Sequence, residues 1–570
     1  MSESVSTVLP QGAGYGVVIG IGLFFSVFML GLTWIQARYT GFSPSNSEEF
    51  SSASRSVKPG LIASGIVSAW TWAATLLQSS AVAYKYGISG PWWYGAGATI
   101  QVLLFAMLAA KLKLNSPNAH TFLEIIGARW GTAAHLIFLF FGLATNIIVS
   151  SMLILGGSAT VTDLTGMNTI AACFLIPMVV AIYVVAGGMR ATLLCDYTHT
   201  AVLFAIILTF IFTAYATSPK IGSPARMHEL LVEAAISKPV PGNAQGSYLT
   251  MRSKNGLIFG VINIIGNFAT VFNDQAYWQR AIASKPQSCV KAYLLGGLAW
   301  FSIPFTFATT LGLSAVALHN DPAMRPLSPA DVSAGLPAPS AAAALLGTSG
   351  AAAVLILLFL AVTSATSAEL IAVSSLLTYD VYKRYIGVGG IVSVVWSYLR
   401  PDDFSFDITR ALNAPTRSHA APTAGSGTHT PPEDEKKQSD IGSGDVRIMP
   451  AEDDEKHDQG VTHDEDLDPV ALMGAFRFAA WSSVGLLVVM IIAIPFPLFF
   501  SQVVFGTKGL TTWVAVGIAW TFLAAFTVVI YPLYESRDAL FLVSKGVIKD
   551  IFNPGSGKYS ERSHAKQDNA

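Results

Sequence analysis

The chain has 570 residues, of which 52% are hydrophobic and only 12% are charged. Soluble domains carry about 25% charged residues, so this composition excludes a soluble globular protein and indicates a polytopic membrane protein. The formal net charge of −1 gives no basic surface for nucleic acid, and three cysteines without a CxxC spacing indicate neither a disulfide framework nor a metal site.

The first apolar run, residues 14–36, is long enough to cross a bilayer, for which about 20 residues suffice. No basic residue precedes it, whereas a signal peptide begins with positive charge and has a shorter core. Arg38, Arg55 and Lys58 follow it. By the positive-inside rule, residues 1–36 are predicted to form an external N-terminus and an extra first helix, with the first loop in the cytoplasm.

The next segment, residues 58–90, is also long enough to span, but its first half is rich in small and hydroxyl residues. Ser64, Gly65 and Ser68 predict a discontinuous helix, because a gap in the backbone ladder there would free carbonyls for a cation or a polar solute. The alternative is that these small residues only allow close helix packing.

Three aromatic side chains accompany this segment. Trp70 and Trp72 offer apolar walls and two N–H donors to a small planar polar molecule, provided that the backbone between them unwinds so that both face one cavity. Tyr94 is the third candidate, at the end of the triplet 92–94. For that triplet, anchoring at the membrane interface is the alternative interpretation.

Further apolar spans follow, and the basic residues between them fall on the side assigned to the cytoplasm. The predicted spans are residues 92–110, 135–158, 167–186, 194–216, 257–272, 292–318, 341–377, 475–500 and 510–534. With the first run and the broken helix, the chain is predicted to have about eleven transmembrane helices.

These spans divide the chain unequally. Residues 58–217 hold five helices, residues 218–256 form a long polar external loop, and residues 257–385 hold only three helices. Transporters built from inverted repeats have halves of equal size, so the second repeat is predicted to be incomplete.

The remainder of the chain changes in character. Residues 386–470 begin with an apolar patch too short to span and continue with acidic, proline-rich sequence, which predicts a disordered cytoplasmic loop. Residues 471–535 hold two more helices, and residues 536–570 are a polar tail. The count of spans places that tail in the cytoplasm.

Two stretches resemble the sodium:solute symporter family. Residues 183–203 read YVVAGGMRATLLCDYTHTAVL, similar to the signature that joins the fourth and fifth core helices. The matching positions are Gly187, Gly188, Arg190, Ala191 and Asp196, and His199 stands where many members have Gln. Residues 362–383, VTSATSAELIAVSSLLTYDVYK, resemble the eighth core helix.

Four further stretches resemble the urea permease branch of that family in fungi and plants: SAWTWAATLLQSS, GPWWYGAGATIQ, NAHTFLEI and GNFATVFNDQAYWQRAIAS. The resemblance covers residues 14–385, resumes at about residue 389, and skips some four helices of the full-length members. It implies a leucine-transporter-like inverted-repeat fold in the plasma membrane. The implied activity is cation symport of urea, with polyamines as an alternative substrate.

Two other functions stay open. One is a sodium-coupled carrier of another small solute, and the other is a truncated, non-transporting isoform with a sensing or regulatory role. A membrane enzyme is not predicted, because neither HExxH nor GxSxG occurs.

Ionisable groups inside a span cost about 2.5–3.5 kcal/mol each, so Asp196, Asp274, Glu369 and His199 are candidate functional groups. Asn263 offers both amide roles to urea and is predicted to bind it. Asp274 is a second candidate for the substrate site. It follows Asn263 by about 16 Å along one helix, so we expect it nearer a gate or the coupling route.

For the coupling ion, the resemblance implies a cation site formed by carbonyls near Ser64 and Val67 and by hydroxyls of the eighth helix. Sodium-driven relatives present two consecutive hydroxyls there. Here Ser364 is followed by Ala365, so one ligand is missing, and the candidate substitutes are Thr363, Thr366 and Ser367.

A proton needs no oxygen cage, only a titrating group such as Asp196, Asp274, Glu369 or His199. The sequence therefore predicts proton coupling, with sodium as the alternative and no other cofactor.

Overall fold

The computed structural model describes residues 8–40, 42, 44–386 and 468–558. In this part of the chain the regular structure is helical, and the β-bridges are isolated pairs. The predicted all-α class is therefore confirmed there. The apolar patch and most of the acidic loop predicted for residues 386–470 lie outside the described residues.

The helices that position the site are, in chain order, α1 (Gln11–Tyr39), α2 (Ser47–Ser52), α3 (Pro59–Trp70), α4 (Ala73–Tyr86), α5 (Ser89–Asn115), α6 (Phe122–Thr165), α7 (Thr169–Thr217), α8 (Pro224–Ser237), α9 (Lys254–Asn273), α10 (Gln275–Ala283), α11 (Pro286–Ala317), α12 (Pro337–Ile386), α13 (Pro469–Phe500), α14 (Thr507–Glu535) and α15 (Arg537–Phe552).

Nine helices of the described residues are long and apolar enough to cross a membrane, and α3 with α4, bent by 62°, makes a tenth span. Helix α7 has 49 residues and would be about 73 Å long, more than twice the bilayer core. It is interrupted at Gly188, where φ is 56° and ψ is −150°. Counted as two spans across that break, α7 brings the total to the eleven that the sequence predicts.

The positive φ at Gly188 has a local cause. A Cβ atom at this position would lie 2.6 Å from the carbonyl oxygen of Phe50 in α2, so only glycine allows α2 to approach so closely. The Gly-Gly pair of the signature therefore joins two spans, as the resemblance implies.

Helices α5 and α11 form the centre of the bundle, because 78% and 89% of the residues in their most apolar stretches are buried. Helix α5 packs against α9, α11 and α13, while α7 packs against α1, α3 and α12.

Residues 58–217 and residues 257–385 each begin with a broken helix. Helices α3 and α4 are separated by Thr71 and Trp72, which have extended backbone, and α9 and α10 are separated by Asp274 alone (φ −96°, ψ 116°). Corresponding breaks at the start of each half are typical of inverted repeats in transporters. The second break was not predicted from the sequence.

The predicted position of the first break is wrong by a few residues. Residues 64–68 lie within α3, and a Cβ atom on Gly65 would lie 2.7 Å from the side chain of Leu193, so the small residues here allow close packing. The helix ends later, where the side chain of Thr75 accepts a hydrogen bond from the backbone N–H of Trp72 (3.2 Å). That N–H is thereby removed from the helical ladder.

The two broken helices differ in burial. All but one of the residues of α3 are buried. In contrast, Ile258, Ile262 and Ile265 of α9 are 49%, 64% and 66% exposed. These three side chains of α9 are therefore not covered by other described residues.

Two segments predicted as polar contain helices. Residues 218–256 include α8, which packs against α14, and the tail includes α15, which is tied to α1 by an ion pair of 2.6 Å between Arg38 and Asp550. The sides of the membrane assigned to these segments stay predictions.

Candidate functional site

A cavity of about 650 Å³ opens at the break between α3 and α4, within the range of about 300–1,000 Å³ typical of small-molecule sites. Its walls come from α4, α5, α6 and α9. The described residues that line it are Trp70, Trp72, Ala74, Thr75, Gln78, Tyr94, Ala98, Phe141, Thr145, Ile148, Val149, Met152, Phe259, Ile262, Asn263, Gly266, Asn267, Ala269, Thr270, Asn273 and Trp300. The structure thus brings together four of the five predicted substrate residues: Trp70, Trp72, Tyr94 and Asn263.

The two indoles of the break share one cavity, as predicted. The ring centroids of Trp70 and Trp72 are 6.3 Å apart, with the planes inclined at 64°. Their N–H groups are already engaged, because Trp70 donates to the carbonyl of Ala98 (3.0 Å) and Trp72 donates to that of Ala69 (2.8 Å). The prediction that both donors serve a ligand is therefore wrong, and the rings offer apolar faces instead.

The triplet that ends in Tyr94 is not an interfacial anchor. Trp92 and Trp93 are 6% and 1% exposed, and the indole of Trp92 donates to the carbonyl of Met490 (3.1 Å). Tyr94 lines the cavity, and its hydroxyl lies 3.4 Å from the carbonyl of Ala74. Burial inside the bundle therefore replaces the anchoring interpretation.

Asn263 faces the cavity within a stripe of polar residues on α9. Its amide nitrogen donates to the carbonyl of Tyr94 (3.1 Å), and its amide oxygen accepts from Asn267 (2.9 Å). Asn267, Thr270 and Asn273 continue the stripe at spacings of three and four residues. This helical periodicity was visible in the sequence and could have identified these three residues as part of the site.

The cavity wall is uncharged: no acidic or basic side chain occurs among its described lining residues. Asp274 is not among them. Its Oδ1 accepts a hydrogen bond from the backbone N–H of Ala276 (2.8 Å) and caps α10. The prediction that Asp274 binds substrate directly is not supported by this geometry, while its separation from Asn263 is as expected.

A buried charge network lies beside α3. Arg280, which lies between the predicted spans 257–272 and 292–318, is 1% exposed. Its guanidinium donates to the carbonyls of Gly65 (3.0 Å) and Ala276 (3.0 Å) and to Oδ2 of Asp196 (2.8 Å). Arg280 is buried because α10 continues from the break at Asp274 and packs against α3.

The second oxygen of Asp196 is bound by hydroxyl groups. Ser364 donates to Oδ1 of Asp196 (2.6 Å), and Ser68 lies 2.5 Å from the hydroxyl of Ser364. The hydroxyl of Ser367 donates instead to the backbone carbonyl of Ser364 (2.7 Å). Ser364 therefore contributes to the predicted coupling site, through Asp196.

The carbonyls expected to bind a coupling ion are already hydrogen-bonded. The carbonyl of Val67 accepts from the backbone N–H (3.1 Å) and the hydroxyl (2.7 Å) of Thr71. That of Ser64 accepts from the hydroxyl of Thr200 (3.4 Å). The expectation of free carbonyls at Ser64 and Val67 is therefore wrong, because both residues belong to an intact helix.

The remaining two ionisable candidates lie apart from each other. Glu369 on α12 accepts a hydrogen bond from the amide of Asn146 on α6 (2.5 Å). His199 packs on Phe25 of α1, with ring centroids 4.8 Å apart, and lies beside Cys195. These contacts with α1 and a thiol give His199 a place in the core, not in the cavity.

The fold and site together define a polytopic membrane protein of the inverted-repeat class, with a cavity at the break of one helix. Residues 50–389 match the sodium:solute symporter family. A solved Na+-coupled sialic acid symporter has a similar fold, with a TM-score of 0.50 at 12% identity, covering 91% of this chain and 96% of that one. The chain belongs to the sodium:solute symporter family.

Curated relatives extend the comparison. The chain is 54% identical over 397 residues to the urea-proton symporter DUR3 of Oryza sativa subsp. japonica, covering 67% of this chain and 54% of the relative. It is 50% identical over 382 residues to the urea active transporter of Saccharomyces cerevisiae, covering 66% of this chain and 52% of the relative. The chain thus spans about half the length of these relatives.

A third relative aligns over nearly its whole length. The probable urea active transporter 3 of Schizosaccharomyces pombe is 36% identical over 602 residues, covering 90% of each protein. The aligned length exceeds the 570 residues of this chain, so the relative carries insertions with respect to it.

Proposed function

We propose that the chain imports urea in symport with protons, by alternating access across the plasma membrane, with its N-terminus outside and its C-terminus in the cytoplasm. The names of the relatives support urea as substrate. The observation that carries the proposal is the uncharged aromatic and amide cavity at the break of α3 and α4.

The cavity suits a small, flat, neutral solute. The faces of Trp70, Trp72 and Tyr94 provide apolar walls for a planar molecule, and Asn263 and Asn267 provide amide groups along the opposite helix. A polyamine would bring several positive charges that no carboxylate of the described lining compensates. Urea is therefore the proposed substrate, and polyamines are not.

The charge network supports protons as the coupling ion. The guanidinium of Arg280 already donates to the carbonyl of Gly65 and to Asp196, two of the oxygen ligands that a metal cation would need beside the break. A second positive charge at this place would be repelled by Arg280. A proton carried on a carboxylate elsewhere avoids that repulsion.

Symport is energetically sufficient for accumulation. One positive charge crossing a potential of about 100 mV releases roughly 2.3 kcal/mol, enough for about a 40-fold concentration ratio. A passive pore for urea would only equalise the two concentrations.

The test is uptake of labelled urea by transport-deficient cells that express this exact chain. We expect uptake to rise in acidic medium, to fall when a protonophore collapses the gradient, to be indifferent to replacing sodium by choline, and to resist competition by spermidine. Sodium-dependent uptake would contradict proton coupling, and inhibition by spermidine would contradict the selectivity argument.

The exposed apolar face of α9 favours a second candidate, a non-transporting isoform with a sensing or regulatory role. Ile262 lines the cavity and is 64% exposed, so one wall of the cavity is not covered by the described chain. Normal surface expression together with no urea uptake above that of empty cells would favour this alternative.

A further inference from the structure

Two buried carboxyl groups, those of Asp274 and Glu369, lie close together behind the cavity. Ala276, two positions after Asp274, and Ala368, one position before Glu369, pack in one buried cluster, and the two carboxyls are near enough to act on each other. They are 0% and 4% exposed, and they come from different parts of the chain, the break between α9 and α10 and the middle of α12.

The polar partners of this pair are few. Glu369 accepts from the amide of Asn146 (2.5 Å), and Oδ1 of Asp274 accepts from the backbone of Ala276 (2.8 Å). Oδ2 of Asp274 is buried and accepts no hydrogen bond from a donor of the described residues. If the carboxyl of Glu369 is protonated, its O–H can donate a hydrogen bond to this oxygen.

The positive charge near the pair, that of Arg280, already forms an ion pair with another carboxylate. Among the described residues, Arg280 is a basic group that acts on both carboxyls, and Tyr277 of the same helix is a further titratable group beside them. The guanidinium of Arg280 forms its direct ion pair with Asp196. Two carboxylates this close together in a medium of low dielectric cannot both stay ionised, so the pair holds one proton between them.

The pair is adjacent to the substrate cavity from two sides. Asn273 and Thr145 line the cavity, and each precedes a member of the cluster, Asp274 and Asn146. In addition, the ring of Tyr277 packs on that of Trp70, with centroids 4.5 Å apart. A displacement of the pair would therefore reach the cavity wall directly, because wall residues are the chain neighbours of Asp274 and Asn146.

We propose that Asp274 and Glu369 together form the site that carries the symported proton. This inference rests on the proposed function and assigns its proton to named atoms. On loading, an O–H bond forms on one carboxylate and a hydrogen bond joins it to the other, so that α12 is held to the break between α9 and α10. On release, that bond breaks, the proton leaves to water, and two like charges separate these helices.

The first experiment detects the proton without requiring transport. In infrared difference spectra of the purified full chain between about pH 5 and about pH 9, we expect the carbonyl band of a protonated carboxylic acid that titrates in this range. Glu369→Gln and Asp274→Asn should each abolish the band. Asp163→Asn, which alters a carboxylate at the far end of α6, should leave it unchanged. A band that survives in both variants, or that is absent from the wild type, overturns the proposal.

The second experiment separates exchange from proton-driven accumulation in proteoliposomes. Glu369→Gln keeps a hydrogen-bond donor for Asp274 and loses the titrating group, so urea counterflow should persist. Accumulation driven by a pH gradient should fall from many-fold to unity, and the pH profile of uptake should become flat. Accumulation with the wild-type pH profile in Glu369→Gln would refute the assignment.

Failure of the proposed function and failure of the proton site can be distinguished. If the wild type exchanges no urea, the proposed function fails, and the infrared titration still decides whether the pair binds a proton. If Glu369→Gln and Asp274→Asn do not fold, Asn146→Ser provides a milder variant, because it removes the hydrogen bond to Glu369 and should move the pH midpoint of the band. An unmoved midpoint would contradict the site.

Discussion

Arg280 provides the sharpest test of the charge network. Its guanidinium is 1% exposed and makes three hydrogen bonds, to Gly65, Ala276 and Asp196. Arg280→Met keeps the aliphatic part of the side chain but removes the guanidinium, and so leaves the carboxylate of Asp196 buried without a counter-charge. Breaking a buried pair in this way costs about 3–5 kcal/mol of folding free energy. The double variant with Asp196→Asn should recover a large part of that loss, because no charge is then left unpaired.

Arg280→Met should also create a response to sodium. It leaves the carbonyl of Gly65, the carboxylate of Asp196 and the hydroxyl of Ser364 around the space of the guanidinium, and these are oxygen ligands. Sodium at 100 times its dissociation constant would then stabilise the variant by about 2.7 kcal/mol.

The assay is thermal unfolding in detergent, with sodium replaced by choline as the reference. The wild type should show no sodium effect. Lys113→Met is the matched control, since Lys113 is also buried and donates to a backbone carbonyl, that of Ile282 (2.7 Å), without a carboxylate partner. An Arg280→Met variant as stable as the wild type, or a wild type with an equal sodium effect, would refute the reasoning.

Three further predictions follow from single contacts. Trp70→Ala should reduce urea uptake by about tenfold or more, a loss of at least about 1.4 kcal/mol, at equal surface expression, while Trp70→Phe should retain more uptake. Gly188→Ala should lower the unfolding temperature, because a backbone with φ of 56° and ψ of −150° costs a residue with Cβ about 1–3 kcal/mol. Burial opposes ionisation of Glu48, but the hydrogen bond of His120 and the charge of Arg55 outweigh it and lower the pKa of Glu48 to about 2. The stabilisation of the wild type relative to Glu48→Gln should thus be complete above about pH 4.3 and be lost as the pH falls towards 2, measured as the difference between their unfolding temperatures.

Much of the fold follows from local sequence. Apolar length alone places the spans, since a bilayer imposes the same requirement on each of them. The Gly-Gly pair at residues 187–188 marks a boundary between two spans because the second glycine adopts a positive φ that other residues avoid. Such features depend on a few neighbouring residues and are therefore visible in the sequence.

The exact ends of the broken helices are harder to predict from the sequence. Both helical and extended backbone are compatible with residues 64–72, and the choice depends on whether Thr75 captures the N–H of Trp72. The second break had a signal that was not used: Asn273 and Asp274 are of the types preferred at helix caps, and Asp274 is the N-cap of α10. A cap signal within a spanning apolar segment is therefore a criterion for a break.

Tertiary contacts explain the remaining differences. Arg280 resembles any basic residue of a short loop, and its burial depends on Asp196, which is 84 positions earlier in the chain. Likewise, Trp92 and Trp93 have the composition of an interfacial belt, but they are enclosed because α13 packs on α5. Sequence periodicity does not contain such long-range pairings, so these residues could be placed only in three dimensions.

The two helix breaks separate neutral from charged chemistry. The cavity, lined by α4, α5, α6 and α9, contains no charged side chain among its described residues, while Asp196, Arg280, Asp274 and Glu369 are all buried outside its lining. A neutral solute can therefore enter and leave its cavity without desolvating a charge, and a proton can be gained or lost without altering the polarity of the substrate wall. Under the proposed function, coupling between the solute and the proton would depend on geometry, through the break at Asp274. For this reason a substitution at Trp70 should change the affinity for urea more than the pH profile, and one at Glu369 should do the reverse.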